Sequence, residues 1–219
     1  MNDAPPRPVA APVAPAAIRP ARLQAREPRA TPAAKPLPRT WWVSRLLVFL
    51  TITILGTAAD LYSKEAVFGW RGLPGERPVY WLWENYAGIQ TAVNTGALFG
   101  LGAGMGRVFA AFSLVAAAGI AVWLFGYRAA RSWWLTVAAA MILGGIAGNL
   151  YDRLGLWYEP GMDPAWQSGV RDWILLCYRE YTWPNFNIAD SLLVIGTGML
   201  LWHSFTTPVE EASKAPHAA

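Results

Sequence analysis

Hydrophobic residues gather in four long runs. They span about residues 41–61, 108–127, 133–150 and 188–205. An α-helix needs roughly 20 apolar residues to cross the hydrocarbon of a bilayer, and each run approaches that length. Trp41, Trp42, Trp123, Trp133, Trp134 and Trp202 stand near the ends of these runs, where amphipathic rings sit at the membrane interface. The connections 62–107 and 151–187 break into shorter pieces punctuated by Gly and Pro. Gly144 and Gly148 give the third run a small-xxx-small spacing, which permits close helix approach or simple packing. The pattern predicts four spans.

Composition supports that prediction. Of 219 residues, 54% are hydrophobic and 15% charged, against about 25% charged in soluble domains. One cysteine, Cys177, excludes a disulfide framework, and two histidines, His203 and His217, leave little for a His-rich metal centre. Cys177 is expected to pack, and His203 to sit at an interface.

Residues 1–40 form a separate regime, with 10 of the 17 prolines and no Trp, Phe or Tyr, and are expected to be a disordered basic Pro/Ala-rich tail. Seven basic residues face only Asp3 and Glu27 there. This charge abuts an apolar run, so it reads as a positive-inside topology signal rather than a nucleic-acid arm. Arg128 and Arg131 fall on the same side. Both termini, including a short tail 206–219, are then cytoplasmic, and the two long connections lie outside. A leader cleaved after Gly56-Thr57-Ala58-Ala59 would break that even topology.

Ionisable residues at membrane depth are expensive and mark function by default. Asp60 has Lys64 one helical turn on, Asp152 and Arg153 follow the third run, Asp172 sits among Val170, Trp173, Ile174 and Leu175, and Asp190 opens the fourth run. All four sites fall on one membrane face. Two carboxylates that share a proton supply a base and an acid together, and so activate water without metal or cofactor. The helix macrodipole favours a charged Asp190, whereas apolar neighbours favour a protonated Asp172. The structural alternatives are plain: Asp60 and Lys64 as an intrahelical staple, Asp152 and Arg153 as an interfacial pair, Asn149 and Asn187 as helix-end caps.

Five blocks then occur in order: Asp60-Leu61-Tyr62-Ser63-Lys64, Asn94-Thr95-Gly96-Ala97-Leu98-Phe99, Gly144 to Arg153, Val170-Arg171-Asp172-Trp173-Ile174 and Phe186-Asn187-Ile188-Ala189-Asp190-Ser191. Over about residues 43–205 the chain resembles lipoprotein signal peptidase (signal peptidase II), an intramembrane aspartyl protease family of the bacterial inner membrane. The resemblance implies an all-α membrane protein: four transmembrane helices with a small extracytoplasmic β-cradle and an amphipathic helix, the last expected within 66–95. It implies removal of signal peptides from prolipoproteins just before a diacylglyceryl-modified cysteine. Asp172 and Asp190 match the catalytic pair. Asn94, Asn149, Arg153, Asn187, Asp60 and Lys64 match polar positions expected to contact substrate. Prolipoproteins and membrane lipids are the implied partners, with no nucleic acid, no metal, no cofactor and a monomer as the default.

Two departures stand out. Leu61 occupies a position that is more often polar, and the 19 residues between Asp152 and Asp172 form a longer interval than the family pattern, with an insertion at about 156–170. The insertion brings Asp163, a rival to Asp172; Gly161-Met162-Asp163-Pro164 reads as a solvated turn, which favours Asp172. Two other functions compete: a catalytically inactive lipoprotein-binding relative, and a proton-coupled membrane transporter subunit. A proton relay needs groups through the bilayer depth, and these carboxylates share one face.

Overall fold

The computed structural model describes residues 40–96, 102–127 and 129–206. The expectations for both tails, for Ala97–Phe99 and for Arg128 lie outside them. Among the described residues, four helices are long and apolar enough to cross a membrane: α1 (Trp41–Arg71), α2 (Gly106–Ala121, continued by a π-turn to Gly126), α3 (Trp133–Arg153) and α4 (Ile188–Thr206). Four strands, β1 (Tyr80–Trp83), β2 (Ala87–Asn94), β3 (Val170–Tyr178) and β4 (Tyr181–Phe186), form one antiparallel sheet in chain order. The expected small β element is therefore present, as a four-stranded sheet.

The helix bounds differ from the apolar runs for local reasons. The apolar run of α1 ends near Leu61, but its helix continues to Arg71, because Asp60 and Lys64 are buried inward and do not end it. It stops at Gly72, whose φ of +79° suits only glycine at low cost and whose N–H bonds to the Phe68 carbonyl at 2.8 Å. The amphipathic helix expected within 66–95 is not there. Residues 66–71 complete α1, and 80–94 form the β1–β2 hairpin, whose aromatic residues in β1 and β-branched Ile89, Thr91 and Val93 in β2 fit a pleated surface. Trp70, Tyr80, Trp83 and Tyr86 are exposed nonetheless.

The third helix is central: 44% of its apolar window is buried, against 11% for each of the other three. Close packing explains this. Gly144 faces Thr53 and Gly56 of α1, while Gly145 lies against Ala189 and Leu193 of α4. Thr53 and Thr57 each donate their hydroxyl to an α3 carbonyl, Ala140 and Gly144, at 3.2 Å. Such close small-residue contacts and interhelical hydrogen bonds substitute for the hydrophobic effect inside lipid. At the far end from the sheet, Phe49, Leu124, Ala130, Ala139 and Ala140 make a small core, with Phe49 and Phe125 edge to face at 5.5 Å.

Candidate active site

The end of α3, the start of α4, the middle of α1 and the first residues of β3 converge at one place. The order of elements brings it about: β3 follows α3 through 154–169, and β4 leads straight into α4. Strand residues alternate faces, yet Arg171 and Asp172 are both buried, at 3% and 2% exposure. The strand touches α1 and α3, Trp157 of the 154–169 segment lies beside Arg171, and Asn187, just ahead of α4, reaches Asp172.

Asn187 joins the two candidate carboxylates. Its Nδ2 donates to Asp172 Oδ1 at 2.6 Å, while its Oδ1 accepts the Asp190 N–H at 2.9 Å. Asp190 Oδ2 accepts the Asn187 N–H in return, at 3.2 Å. This reciprocal pair is a capping box that starts α4, so the reading of Asn187 as a helix cap holds, and the same side chain also ties Asp172 to the helix. Burial pushes the Asp172 carboxyl well above the usual carboxylate range, and the negative charge of Asp190 adds to that effect.

Asn149 lies inside α3 rather than at its end. Its Oδ1 accepts from Lys64 Nζ at 3.0 Å and from Asn187 at 3.1 Å, and its Nδ2 donates to Asp190 Oδ1 at 2.8 Å. An ammonium can only donate, so Lys64 dictates which way this amide points.

Beneath the pair runs a buried ladder of charges. Asp60, Lys64 and Asp152 have no exposed surface. Lys64 Nζ stands 2.7 Å from Asp60 and 3.2 Å from Asp152. The remaining Asp60 oxygen accepts the Ala189 N–H at 2.9 Å, so a carboxylate of α1 caps the first turn of α4. Asp152 in turn accepts the Arg171 backbone N–H at 2.9 Å and its guanidinium at 3.0 and 3.3 Å. Arg171 ends the ladder at solvent on Glu65, 3.0 Å away and 81% exposed. Gly148 makes room for all this, since any Cβ there would collide with the Asp60 carboxylate.

A groove of about 600 Å³ opens beside Asp190. Asn94 and Arg153 line its polar end; Trp183, Phe186, Leu193, Val194 and Ile195 line the rest. Arg153 donates to the backbone carbonyls of Asn94, Gly96 and Ser168. Of the residues expected to contact substrate, then, Asn94 and Arg153 border open space. Asp60 and Lys64 are enclosed, bonded to each other and to Asp152, Asn149 and the Ala189 N–H.

Asp163 is exposed and caps the short 3-10 turn Pro164–Trp166 through the Ala165 N–H at 2.9 Å. Cys177 is half-buried on β3. Arg171, Glu65 and Trp157 join the cluster without standing out in the sequence. The available signal was an arginine set between Val170 and Asp172, since a cation in an apolar strand calls for a buried partner.

Fold and site together define a polytopic membrane protein with an acidic and basic cluster where its helix bundle meets a small antiparallel sheet. A family model described as Signal peptidase (SPase) II matches residues 52–206. The lipoprotein signal peptidase of Rhodopirellula baltica is 62% identical over 163 residues, 74% of this chain and 73% of that protein. The lipoprotein signal peptidase of Pseudomonas putida is 34% identical over 82% of this chain and 95% of its own length. A bacterial membrane enzyme solved by the in meso method at 2.3 Å shares the fold, with a TM-score of 0.60 at 21% identity over 79% of this chain and 94% of that one. The chain belongs to the signal peptidase II family, proteases of lipoprotein processing, and with four spans it is a bacterial inner-membrane protein.

Proposed function

We propose that this protein is an intramembrane aspartyl endopeptidase that removes the signal peptide from prolipoproteins, cutting just before a diacylglyceryl-modified cysteine. The observation that carries the proposal is the Asn187 bridge, which fastens Asp172 and Asp190 to one rigid helix start.

The two carboxyls divide the work by environment. Asp190 keeps both oxygens turned to N–H donors and borders the groove, so it is the base that takes a proton from water. Asp172, buried and raised in pKa, holds a proton and is the acid that delivers it to the leaving nitrogen. The proton passes between the two carboxyls during turnover. Asn94 and Arg153 meet the substrate backbone at the polar end of the groove. The apolar stretch along Leu193, Val194 and Ile195 takes lipid or signal-peptide side chains. The basic tail faces the cytoplasm and the site lies near the outer face, with the chain working as a monomer among membrane lipids.

Cleavage of a synthetic prolipoprotein peptide bearing diacylglyceryl-cysteine tests this, with purified protein in detergent. Wild type is expected to cut, and Asp172→Asn and Asp190→Asn to lose turnover while keeping the elution profile of the folded protein. Turnover retained in either variant sinks the dyad, and an inert wild type beside an active control peptidase sinks the endopeptidase.

A further inference from the structure

We infer that the segment 154–169 braces the carboxylate cluster by holding Arg171 through Trp157, which makes Arg171 a positioning residue for cleavage. The inference rests on the proposed peptidase function.

A connection needed only to turn the chain takes a handful of residues, and longer ones carry a task of their own. This one is closed at its base and tied within. Arg153 Nη1 donates to the Ser168 carbonyl at 3.3 Å. Gly155, at φ +72°, lets the Gln167 carbonyl come so near that a Cβ would stand 2.6 Å from it. Tyr151 and Tyr158 donate their hydroxyls to Leu156 and Met162, and Asp163 caps the 3-10 turn. All these bonds make a small rigid body rather than a slack loop.

Trp157 is its point of contact with the site. The indole N–H is fixed on the Gly169 carbonyl at 3.0 Å, next to the start of β3. Its ring meets Phe68 of α1 edge to face at 6.0 Å, and the Arg171 guanidinium lies 5.3 Å from the Trp157 ring and 5.9 Å from that of Phe68. Two rings thus flank the guanidinium while Asp152 and Glu65 take its N–H groups. An arginine so placed has one orientation, and its planar fork transmits that orientation to the carboxylate it grips. From Asp152 the constraint passes to Lys64, from Lys64 to Asn149, and from Asn149 to Asp190. Without the indole, water reaches the guanidinium and its grip on Asp152 weakens toward that of a solvated pair. Misplacing a reacting group by about 1 Å can lower the rate by roughly 100-fold.

The experiment measures kcat and KM on the lipopeptide for Trp157→Leu, Trp157→Phe, Arg171→Gln, Arg171→Lys and the double variant of Trp157→Leu with Arg171→Gln. Trp157→Leu is expected to lower kcat about 10-fold with KM changed less than about twofold, because Trp157 does not line the groove. Trp157→Phe keeps a ring and stays near wild type. Arg171→Gln loses more, and adding Trp157→Leu to it changes little further, as two residues on one path require. Arg171→Lys falls between, and carries the test should Trp157→Leu fail to fold. A raised KM at unchanged kcat makes the segment a substrate gate, multiplying losses make the residues independent, and an unaffected Trp157→Leu removes the brace; each overturns the inference. Should wild type itself be inert, thermal midpoints of the same proteins decide, since non-additive shifts support the coupling and additive ones refute it.

Discussion

Replacing Lys64 by methionine isolates the electrostatics of the cluster. Methionine keeps the unbranched shape of the side chain, one atom shorter, and deletes its charge. The ammonium faces Asp60 at 2.7 Å and Asp152 at 3.2 Å, and all three groups are fully buried. At an effective dielectric of about 20, these separations correspond to attractions of about 6 and 5 kcal/mol. The desolvation of three ions, several kcal/mol each, cancels most of that, so the intact cluster is near neutral in net stability. The substitution is not neutral, because it removes the attraction and leaves Asp60 without its counter-ion, while Asp152 keeps only Arg171. Breaking a buried pair in this way costs about 3–5 kcal/mol. For a chain of this size, about 2–4 °C of midpoint accompanies each kcal/mol, so a fall of roughly 6–20 °C is expected.

The assay is thermal unfolding in one detergent, followed by intrinsic tryptophan fluorescence, for wild type, Lys64→Met and Lys64→Met with Asp60→Asn. Neutralising one stranded carboxylate should recover a substantial part of the loss, although the Ala189 N–H then keeps only a neutral acceptor. A Lys64→Met midpoint within about 2 °C of wild type would show that the carboxylates find water or protons at little cost. A double variant no more stable than the single one would refute the counter-ion argument as well.

Two further outcomes follow from the same geometry. The Asp172 carboxyl is raised in the folded state, so the folded chain keeps a proton that the unfolded chain releases. Stability is therefore full below the ordinary carboxylate range of about 4 and declines as pH climbs toward the raised value. Asp172→Asn removes this decline, so thermal midpoints measured from pH 4 upward should stay flatter than wild type and end higher, even as cleavage is lost; parallel profiles would contradict the assignment. Gly148→Ala presses a methyl group into the Asp60 carboxylate and should cost about 1–3 kcal/mol together with activity. Gly119→Ala, with nothing within 4 Å of the added carbon, should stay at or slightly above wild-type stability; equal midpoints for the two variants would deny the tight packing.

The spans were legible because bilayer thickness imposes a length that composition reports directly, as in α3 and α4. The end of α1 was not, since hydropathy falls at Asp60 for a reason internal to the bundle: that carboxylate turns toward Lys64 and α4 rather than toward water. The hairpin 80–94 escaped because its aromatic residues suit a lipid surface in either conformation, and only pairing with β3, through Ala92 opposite Asp172, decides for a strand. Asp172 and Asp190 were readable as carboxylates in apolar surroundings. The roles of Asp60, Lys64 and Asn149 were not, because which polar group meets which depends on how α1 and α4 pack on α3. Asp163 shows the converse: a carboxylate in a Gly and Pro setting declared itself a turn residue, and it caps one.

Stability and chemistry use the same atoms here, which bears on how substitutions should be interpreted. Asp190 is at once the proposed base and the last residue of a capping box, and Asp60 caps the same helix from α1. A loss of activity at Asp60, Lys64 or Asn149 is therefore ambiguous on its own: it can come from a frayed α4 or from a misdirected Asp190. The two part at Asn149, which bonds no backbone N–H of α4 but accepts from the Asn187 side chain and donates to Asp190. Asn149→Asp places an acceptor where the donor stood and adds a charge beside Asp190, so it opposes ionisation of the base while leaving the Asn187 cap in place. If the network acts through the charge state of Asp190, the acid limb of the cleavage profile moves to higher pH in this variant. If it acts only by holding α4, the rate drops uniformly across pH.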